Sequence, residues 1–327
     1  MIFIKHDNTN PCINHAIEEY ALNKFDDDCF ILWRNEPCIL IGKNQNTLSE
    51  INIEYVKEHS IPVVRRMSGG GAIFCDLGNI LFTFISKLDE NNFADFSKFT
   101  NPIINALEKL SIKAELSGRN DLTIDGRKFS GNAQYNSKNK ILHHGSILFS
   151  SAMSDLVKAL KVKEIKFQDK AIKSVASRVT NISERLKEPM SVIEFKDFLN
   201  NYIISEYGDE KFYEFSDEEW AEIRKISDEK YETWEWNYGH SPKFSYSNEK
   251  KFLGGIVQAN INVHKGLIKE IRFYGDFFSK GEVKEIEELL TGVRYLQEDV
   301  DNVFSSIDIE KYMSNITKEN LLEIMFE

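Results

Sequence analysis

Short apolar runs separated by turn residues fill most of the first half of the chain, interrupted by segments with apolar residues at helical spacing. Asn10-Pro11 is typical of a helix start, and the apolar positions that follow predict a helix over 11–24 with one buried face. Helices are also predicted over 50–59 and 96–110. The predicted strands are Phe30–Trp33, Cys38–Ile41, Val63–Arg66, Ala72–Cys75, Ile80–Ile85, Ile112–Leu116, Leu122–Ile124, Lys128–Tyr135 and Ile141–Phe149.

The pattern changes after residue 150, where helical segments follow one another. Helices are predicted near 153–161, 191–206 and 216–227, and the polar residues 245–251 indicate a linker. Beyond the linker we expect strands Phe252–Val263 and Leu267–Tyr274, then helices over 281–290 and 307–326. The order of elements predicts an α+β protein with a larger domain over residues 1–245 and a small α+β domain over 250–327.

Composition narrows the class of protein. The 327 residues are 42% hydrophobic and 28% charged, which is typical of a globular protein that can bury a large core. The net charge of −11 disfavours a general nucleic-acid binder. The four cysteines lie in the first quarter without a CxxC spacing, so reduced thiols and a cytoplasmic location are expected. The start lacks a signal-peptide core, and no apolar stretch is long enough to span a membrane.

The run Arg65-Arg66-Met67-Ser68-Gly69-Gly70-Gly71-Ala72 is the first candidate for chemistry. Glycines between strands pack nothing, and they are tolerated where the backbone bends sharply or lies directly against a ligand. The two preceding arginines favour a negatively charged ligand, whereas a tight surface turn is the structural alternative. The spacing matches neither the phosphate-binding loop of nucleotide hydrolases nor the dinucleotide fingerprint.

A lysine after a tight turn is the second candidate. Asp125-Gly126 between two apolar runs predicts a two-residue hairpin, which fixes the direction of Lys128. An ammonium group suits phosphate or carboxylate oxygens, although a solvated lysine on an edge strand is the alternative. The small and amide residues 131–133 favour a crowded polar wall, and Arg119-Asn120-Asp121 adds groups suited to phosphate, ribose or a metal.

Two other features favour structural roles. Neighbouring residues of a strand point to opposite faces, so His143 and His144 cannot chelate one ion together. We expect one histidine in the core and one on the surface. Cys75 could be a nucleophile, but no partner histidine is indicated nearby, so we expect a packed thiol.

Taken together, these segments resemble the lipoate–protein ligase A family, within the superfamily that also contains biotin–protein ligases and octanoyltransferases. The resemblance covers nearly the whole chain and depends on the order and spacing of many modest motifs. They are Asn14–Tyr20, Ile41–Asn46, Arg65–Asn79, Asn120–Gly131, His144-Gly145-Ser146, Ser177–Asn181 and Gly275–Phe278.

The resemblance implies a catalytic domain of mixed sheets flanked by helices, with a small C-terminal accessory domain. It implies two half-reactions: lipoate and ATP, with Mg²⁺, give lipoyl-AMP and pyrophosphate, and the lysine of an apo lipoyl domain then displaces AMP. Lys128 is the implied catalytic lysine and contacts both ATP and lipoate. The other implied ATP contacts are Arg66, Gly71, Ala72, Ile73, Phe74, Asn120 and Asp121. The other implied lipoate contacts are Ser68, Gly69, Gly70, Gly71 and His144, and Asp121 is the implied metal contact.

Two positions depart from the pattern of the family. Cys75 stands where many relatives carry histidine, and Ala176 stands where arginine or another polar residue is common. Implied acceptors are the lipoyl domains of 2-oxo acid dehydrogenase complexes or the glycine-cleavage H protein, and octanoate could replace lipoate. No nucleic-acid or membrane partner is implied.

Two other functions remain as alternatives. One is an ATP-independent octanoyl or lipoyl transferase of the same superfamily, which needs a nucleophilic cysteine. The chain has no cysteine after Cys75, and it carries the tail domain typical of the ligases. The other is a non-catalytic protein that binds lipoyl domains, which would need neither Lys128 nor the glycine run.

Overall fold

The computed structural model describes residues 1–45, 47–88, 95–118, 120–152, 158–160, 178–208, 211–238, 246–264 and 266–326. The chain divides into two compact units. The first unit comprises Met1–Leu40, Leu48–Arg65 and Ile73–Asn237, and the second comprises Ile41–Thr47, Arg66–Ala72 and Tyr238–Glu327. The glycine run therefore belongs to the second unit, whereas Lys128 belongs to the first.

Strands and helices are numbered in chain order. The strands are β1 (Ile2–Ile4), β2 (Cys29–Trp33), β3 (Cys38–Ile41), β4 (Val63–Arg65), β5 (Ile73–Cys75), β6 (Asn79–Lys87), β7 (Glu115–Ser117), β8 (Asp121–Ile124), β9 (Arg127–Ser137), β10 (Lys140–Leu148), β11 (Lys211–Tyr213), β12 (Tyr246–Phe252), β13 (Gly255–His264) and β14 (Leu267–Gly275). The helices are α1 (Pro11–Lys24), α2 (Thr47–Glu50), α3 (Ile53–Glu58), α4 (Ser97–Lys109), α5 (Val192–Tyr207), α6 (Asp217–Ile226), α7 (Trp234–Asn237), α8 (Val283–Leu290), α9 (Gln297–Ser305), α10 (Ile309–Tyr312) and α11 (Lys318–Phe326).

An eight-stranded sheet forms the centre of the first unit, in the order β11-β1-β2-β6-β10-β9-β8-β7. Strand β1 runs parallel to both of its neighbours, and the other pairings are antiparallel, so the sheet is mixed. A second sheet of three short strands has the order β4-β3-β5. The predicted fold class, mixed sheets flanked by helices with a small C-terminal α+β unit, is confirmed.

Successive side chains of the central strands point to opposite faces of the large sheet, and helices cover both faces. On one face, Phe82 and Phe84 of β6 belong to the same buried cluster as Phe99 of α4 and Phe195 of α5. Truncating a buried phenylalanine of this kind to alanine typically costs about 3–5 kcal/mol. Thr83 lies on the opposite face, where α1 covers it.

The second unit has its own core. Strands β12, β13 and β14 form an antiparallel sheet, and helices α8 to α11 pack their apolar side chains onto it. Val257, Ile271, Ile286, Phe304 and Leu321 are fully buried in this cluster. No helix among the described residues of either unit combines the length and apolar character needed to cross a bilayer.

Local signals located several elements correctly. Helix α1 begins at Pro11 and ends at Lys24 as predicted, and the Asn10 side chain accepts hydrogen bonds from the Cys12 and Ile13 amides. The Asp125-Gly126 turn joins β8 to β9, with positive φ at both turn residues. Cys29, Cys38 and Cys75 are buried thiols, which confirms the prediction that Cys75 is packed.

Other expectations were wrong. Residues 246–252 form strand β12 rather than a linker, because antiparallel pairing with β13 satisfies the backbone of a mostly polar edge strand. The strand predicted to begin at residue 112 begins at Glu115, and helix α9 was not predicted. The predicted helix over 307–326 is two helices, α10 and α11. Helix α1 buries polar residues as well as one apolar face, including Asn14, His15 and Glu18. The helix predicted near 153–161 lies largely outside the described residues.

Candidate active site

A β-bulge in the hairpin of β8 and β9 sets the direction of Lys128. Lys128 pairs with Thr123 while Ser130 pairs with Leu122, so Phe129 is the extra residue on β9. Phe129 and Leu122 are buried in the apolar core. Lys128 instead shares the outer face with Asp121 and Thr123, since bulges redirect side chains in this way.

Asp121 is the ion-pair partner of Lys128. The Lys128 Nζ lies 2.8 Å from the Asp121 Oδ1, and the two side chains are 41% and 38% exposed. A Cβ on Gly131 would lie 2.9 Å from the Nζ, so the absence of a side chain at this position gives the lysine its path across β9. The pair holds the ammonium at a defined place that water and solutes can reach.

Residues 178–180 complete this face of the sheet through backbone hydrogen bonds to Lys128. The Lys128 amide donates to the Arg178 carbonyl at 2.8 Å, and the Thr180 amide donates to the Lys128 carbonyl at 2.9 Å. A cavity of about 410 Å³ lies here, and Ser117, Asp121, Thr123, Lys128, Arg178 and Val179 line it.

A buried carboxylate organises the other face of the sheet. Glu18 of α1 accepts hydrogen bonds from Thr83 at 2.6 Å, from the His15 Nδ1 at 2.7 Å and from the His144 Nδ1 at 2.9 Å. Burial by itself raises the pKa of Glu18, but the charges of His144 and His15 and their hydrogen bonds outweigh burial and hold the pKa below its usual value. Because Glu18 stays ionised, it accepts, and the His144 Nδ1 donates.

The two neighbouring histidines therefore have different environments, and neither is a surface residue. His143 lies among aromatic rings, 4.8 Å from the Phe99 ring, and burial lowers its pKa well below the usual value, with a smaller contribution from the charge of His144. His144 is 7% exposed. The expectation of one surface histidine was wrong, because Glu18 satisfies His144 inside the protein.

In the second unit, Arg66 fastens the loop that contains the glycine run. The Arg66 Nη2 donates to the Gly69 carbonyl at 2.7 Å and to the Gly71 carbonyl at 2.8 Å, and the Nε donates to the Ser68 hydroxyl at 3.2 Å. Arg66 is 6% exposed. Its guanidinium thus holds the shape of the loop, in the fork geometry that arginine favours.

Backbone conformation and close packing explain two of the three glycines of this loop. Gly70 has a φ of +91°, which favours glycine. A Cβ on Gly69 would lie 2.6 Å from the Phe277 carbonyl oxygen, so close packing requires a glycine there. Around Gly71 there is open space within 4 Å of such a Cβ, so packing among the described residues does not demand the third glycine.

The remaining predicted site residues are distributed over both units. The Asn120 side chain donates to the Asn132 carbonyl at 2.7 Å, which ties β9 to the residue before β8. Ile73 and Phe74 lie on β5, where Phe74 pairs with Ile39. Ala72 lies with Gly71 in the second unit. Arg119 and Ala176 lie outside the described residues.

Sequence reasoning missed the role of Glu18 and the places of Thr123 and Arg178 in the cavity lining. Glu18 carried a readable signal, since a charged residue on an inward-facing position of an amphipathic helix needs a buried partner. Arg178 lies in the Ser177–Asn181 motif, but no sequence signal indicates that backbone pairing places Arg178 and Thr123 beside Lys128. Among the described residues, no three side chains of histidine, cysteine, aspartate or glutamate form a metal-binding group.

Comparisons with known proteins identify the family of this chain. Residues 10–204 match the family model described as the lipoyl protein ligase A/B catalytic domain, and residues 241–325 match the bacterial lipoate protein ligase C-terminus. A lipoate-protein ligase of Bacillus subtilis, LplJ, is 46% identical over 331 residues, with 100% of each chain covered.

Two solved structures also resemble this chain. A crystal structure of P. falciparum LipL1 in complex with lipoate has a TM-score of 0.82 and 28% identity, covering 99% of this chain and 97% of the other. A bipartite lipoate protein ligase of Thermoplasma acidophilum, studied with its E2 lipoyl domain, has a TM-score of 0.66 and 26% identity, covering 75% of this chain and 98% of the other. This chain belongs to the lipoate–protein ligase family.

Proposed function

We propose that this protein uses ATP to join free lipoate to a lysine of an apo lipoyl domain, through a lipoyl-AMP intermediate. The observation that carries the proposal is the half-exposed Lys128 ammonium, held 2.8 Å from Asp121 at the 410 Å³ cavity. Membership of the ligase family, with a full-length relative 46% identical, supports the same activity.

Lys128 assists adenylation in this proposal. A carboxylate oxygen of lipoate attacks the α-phosphorus of ATP, and the bond from that phosphorus to the bridging oxygen breaks as pyrophosphate leaves. Negative charge rises on the phosphoryl oxygens during this step. A preorganised cation lowers the barrier where such charge develops, and removing one such partner typically costs about a hundredfold to a thousandfold in rate.

Mg²⁺ enters with ATP as part of the substrate. Magnesium is usually held by one or two carboxylates together with substrate phosphates, so a single carboxylate beside the phosphates fits that chemistry. Asp121 is the residue we assign to this contact, and Asn120 positions the strand next to it through its bond to Asn132. When bound, the metal neutralises part of the phosphate charge.

In the second unit, the loop over 66–72 contributes further binding groups in this proposal. We assign Gly71 and Ala72 to ATP, together with Ile73 and Phe74 of β5, and Arg66 acts by holding the loop in shape. The lipoate contacts are Ser68, Gly69, Gly70, Gly71 and His144. Orientation of the His144 ring by Glu18 supports its assignment.

In the second half-reaction, the ε-amine of the acceptor lysine attacks the acyl carbonyl. The C–O bond to the phosphate breaks, AMP leaves with the electron pair, and the amine loses a proton. The same Lys128 ammonium stabilises the oxyanion that forms on the acyl oxygen. Pairing of the Thermoplasma ligase with an E2 lipoyl domain supports lipoyl domains of 2-oxo acid dehydrogenase complexes as acceptors, and the glycine-cleavage H protein is a second candidate.

The domain division is also part of the proposal, with catalysis assigned to residues 1–245 and an accessory role to 250–327. We also propose a cytoplasmic location, where lipoate, ATP and acceptor domains would meet. Octanoate is an alternative acyl substrate, because it has the same carboxylate and carbon chain.

Pyrophosphate release from ATP tests the proposal directly. We expect release that depends on added lipoate, followed by a mass increase on the acceptor lysine when an apo lipoyl domain is supplied. Transfer from an acylated carrier protein without ATP would contradict it and favour the transferase alternative. That alternative gains no support from Cys75, whose thiol is fully buried on β5.

A further inference from the structure

The segment that follows β14 lies against the glycine loop, residues 66–72, within the second unit. This supporting segment, residues 276–278, has no task in the proposed ligation. We propose that Phe278 is a positioning residue for lipoate, because its ring and backbone keep the glycine loop in the conformation that binds the substrate. The inference rests on the proposed function, which assigns residues 68–70 to lipoate.

The backbone of the glycine loop lies directly against Phe278. A Cβ on Gly69 would lie 3.3 Å from the Phe278 Cδ1 and 3.4 Å from the Phe278 Cα. A Cβ on Gly70 would lie 3.7 Å from the Phe278 Cε1. Phe278 is 6% exposed, so little of its surface remains open to water. Moving the loop away would expose apolar ring surface, which costs free energy.

The supporting segment is itself fixed to the core of the second unit. The Ser314 amide donates to the Phe278 carbonyl at 2.8 Å. The Asp276 carboxylate accepts a hydrogen bond from the Ile256 amide at 2.5 Å. Phe277 is fully buried in the apolar cluster of this unit. The Phe278 ring is therefore held in place independently of the glycine loop.

A second segment, Ile41–Thr47, connects the loop to the same end of β14. The Lys43 amide donates to the Ser68 carbonyl at 2.8 Å, and the Gly275 amide donates to the Asn44 carbonyl at 2.6 Å. The position of the loop thus depends on the end of β14 both directly, through Phe278, and indirectly, through this segment.

The loop is supported at one point and open at another. Gly69 packs closely, whereas a Cβ on Gly71 would meet no atom of the described residues within 4 Å. Support at Gly69 and open space at Gly71 suit a loop that is held in shape before a ligand arrives. A protein whose binding-competent state is only partly populated binds its ligand more weakly, in proportion to that fraction.

Lipoate-dependent pyrophosphate release by full-length Phe278→Ala tests the inference. Without the ring, only part of the free protein has the binding conformation of the loop, so the KM for lipoate should rise about tenfold. Saturating lipoate draws the loop back to that conformation, so kcat should stay within about twofold of the unaltered value. A loss of folded protein would instead lower kcat and leave the KM unchanged.

Two further variants complete the comparison. Phe278→Leu keeps an apolar side chain, so its KM for lipoate should lie between those of Phe278→Ala and the unaltered protein. It also gives the same test if the alanine variant does not fold. Phe304→Leu is the matched control, because Phe304 is buried in the same unit but lies on α9. It should lower the unfolding temperature and leave the KM for lipoate unchanged.

Hydrogen exchange provides a readout that needs no substrate. The amides of residues 66–72, followed by mass spectrometry in the free protein, should exchange faster in Phe278→Ala and at the unaltered rate in Phe304→Leu. Faster exchange only in the Phe278 variant would locate the effect in the glycine loop.

Three results would overturn the inference. An unchanged KM for lipoate in Phe278→Ala, with lipoate-dependent release intact, rejects the positioning role and leaves the ligase function standing. A lower kcat at unchanged KM, together with unaltered exchange of the loop amides, assigns Phe278 to the fold alone. If the unaltered protein releases no pyrophosphate with lipoate, the proposed function fails, and the link between Phe278 and lipoate fails with it.

Discussion

Lys128 and Arg66 are two cations that the resemblance to the ligase family assigns to ATP, but their surroundings differ. The Lys128 side chain is 41% exposed, and its ion-pair partner, Asp121, is 38% exposed. Arg66 is 6% exposed and donates to two carbonyls and a hydroxyl of its own loop. The Lys128 ammonium is accessible at a cavity, whereas the Arg66 guanidinium is hydrogen-bonded to groups of its own loop.

The comparison shows two ways in which a cation can contribute to ligand binding: by direct contact, or by holding the loop that makes the contact. An exposed ion pair contributes little to stability, about 0–1 kcal/mol, so Lys128 can exchange its partner for a phosphate at low cost. A buried guanidinium that satisfies buried carbonyls is costly to disturb. We therefore expect substitutions at Lys128 to change the chemistry, and substitutions at Arg66 to change the fold of the loop.

The largest expected effect is that of Lys128→Ala. Loss of a preorganised cation at the developing charge should reduce lipoyl ligation about a hundredfold to a thousandfold, while the unfolding temperature stays close to that of the unaltered protein. Steady-state ligation and calorimetry measure the two quantities. Lys113→Ala, on an exposed position of the same unit, is the control and should keep full activity.

Arg66→Gln should show the opposite pattern. The loop carbonyls lose a charged donor that is buried with them, so the free energy of unfolding should fall by about 2–3 kcal/mol. Chemical denaturation followed by circular dichroism measures this, with Lys128→Gln as the matched variant that should remain stable. If both variants were equally stable, the contrast between the two cations would be wrong.

Asp121→Asn should have an intermediate effect. Without the carboxylate, the Lys128 Nζ is less precisely placed, and a small misplacement of a catalytic group can cost up to about a hundredfold in rate. We expect about a tenfold loss of kcat with little change in stability, consistent with the weak energy of an exposed pair.

The matched control for Asp121→Asn is Asp125→Asn. Asp125 lies on the same hairpin and pairs with Arg185 at 3.2 Å, with its own side chain 76% exposed. The activity of the Asp125→Asn variant should equal that of the unaltered protein. An equal loss of activity in both variants would point to a disturbed hairpin rather than to the position of the lysine.

Gly131→Ala should have the smallest effect. Its Cβ would meet the Lys128 Nζ at 2.9 Å and the Cε at 3.1 Å, and the flexible end of the lysine can move away. We expect a few-fold loss of activity, while stability stays or rises, since alanine loses less conformational entropy in a strand than glycine. A destabilised variant would show that backbone packing, rather than the lysine path, requires this glycine.

Local signals made most of the N-terminal half predictable. The Asn10-Pro11 helix start, strand β3 and the Asp125-Gly126 turn depend on neighbouring residues, and the structure has them where the sequence predicts. The position of Lys128 after the turn followed from the same logic. Its bulge did not, because the extra residue Phe129 shows only in the pairing with β8.

Features that depend on distant partners were missed. Glu18 and His144 are 126 residues apart in sequence, and only the sheet register brings their side chains together. Strand β12 has polar residues on both faces and resembles a linker until its pairing with β13 is known. Arg178 lies beside Lys128 through a backbone hydrogen bond that the Ser177–Asn181 motif by itself does not indicate.

The central claim is that Lys128 serves both half-reactions of lipoyl ligation. Transfer of the lipoyl group from preformed lipoyl-AMP to an apo lipoyl domain, measured in a single turnover with Lys128→Ala, tests it most directly. We predict a rate about a hundredfold or more below that of the unaltered protein, in parallel with the loss of lipoate-dependent pyrophosphate release. Transfer at the unaltered rate would contradict the claim and confine Lys128 to adenylation.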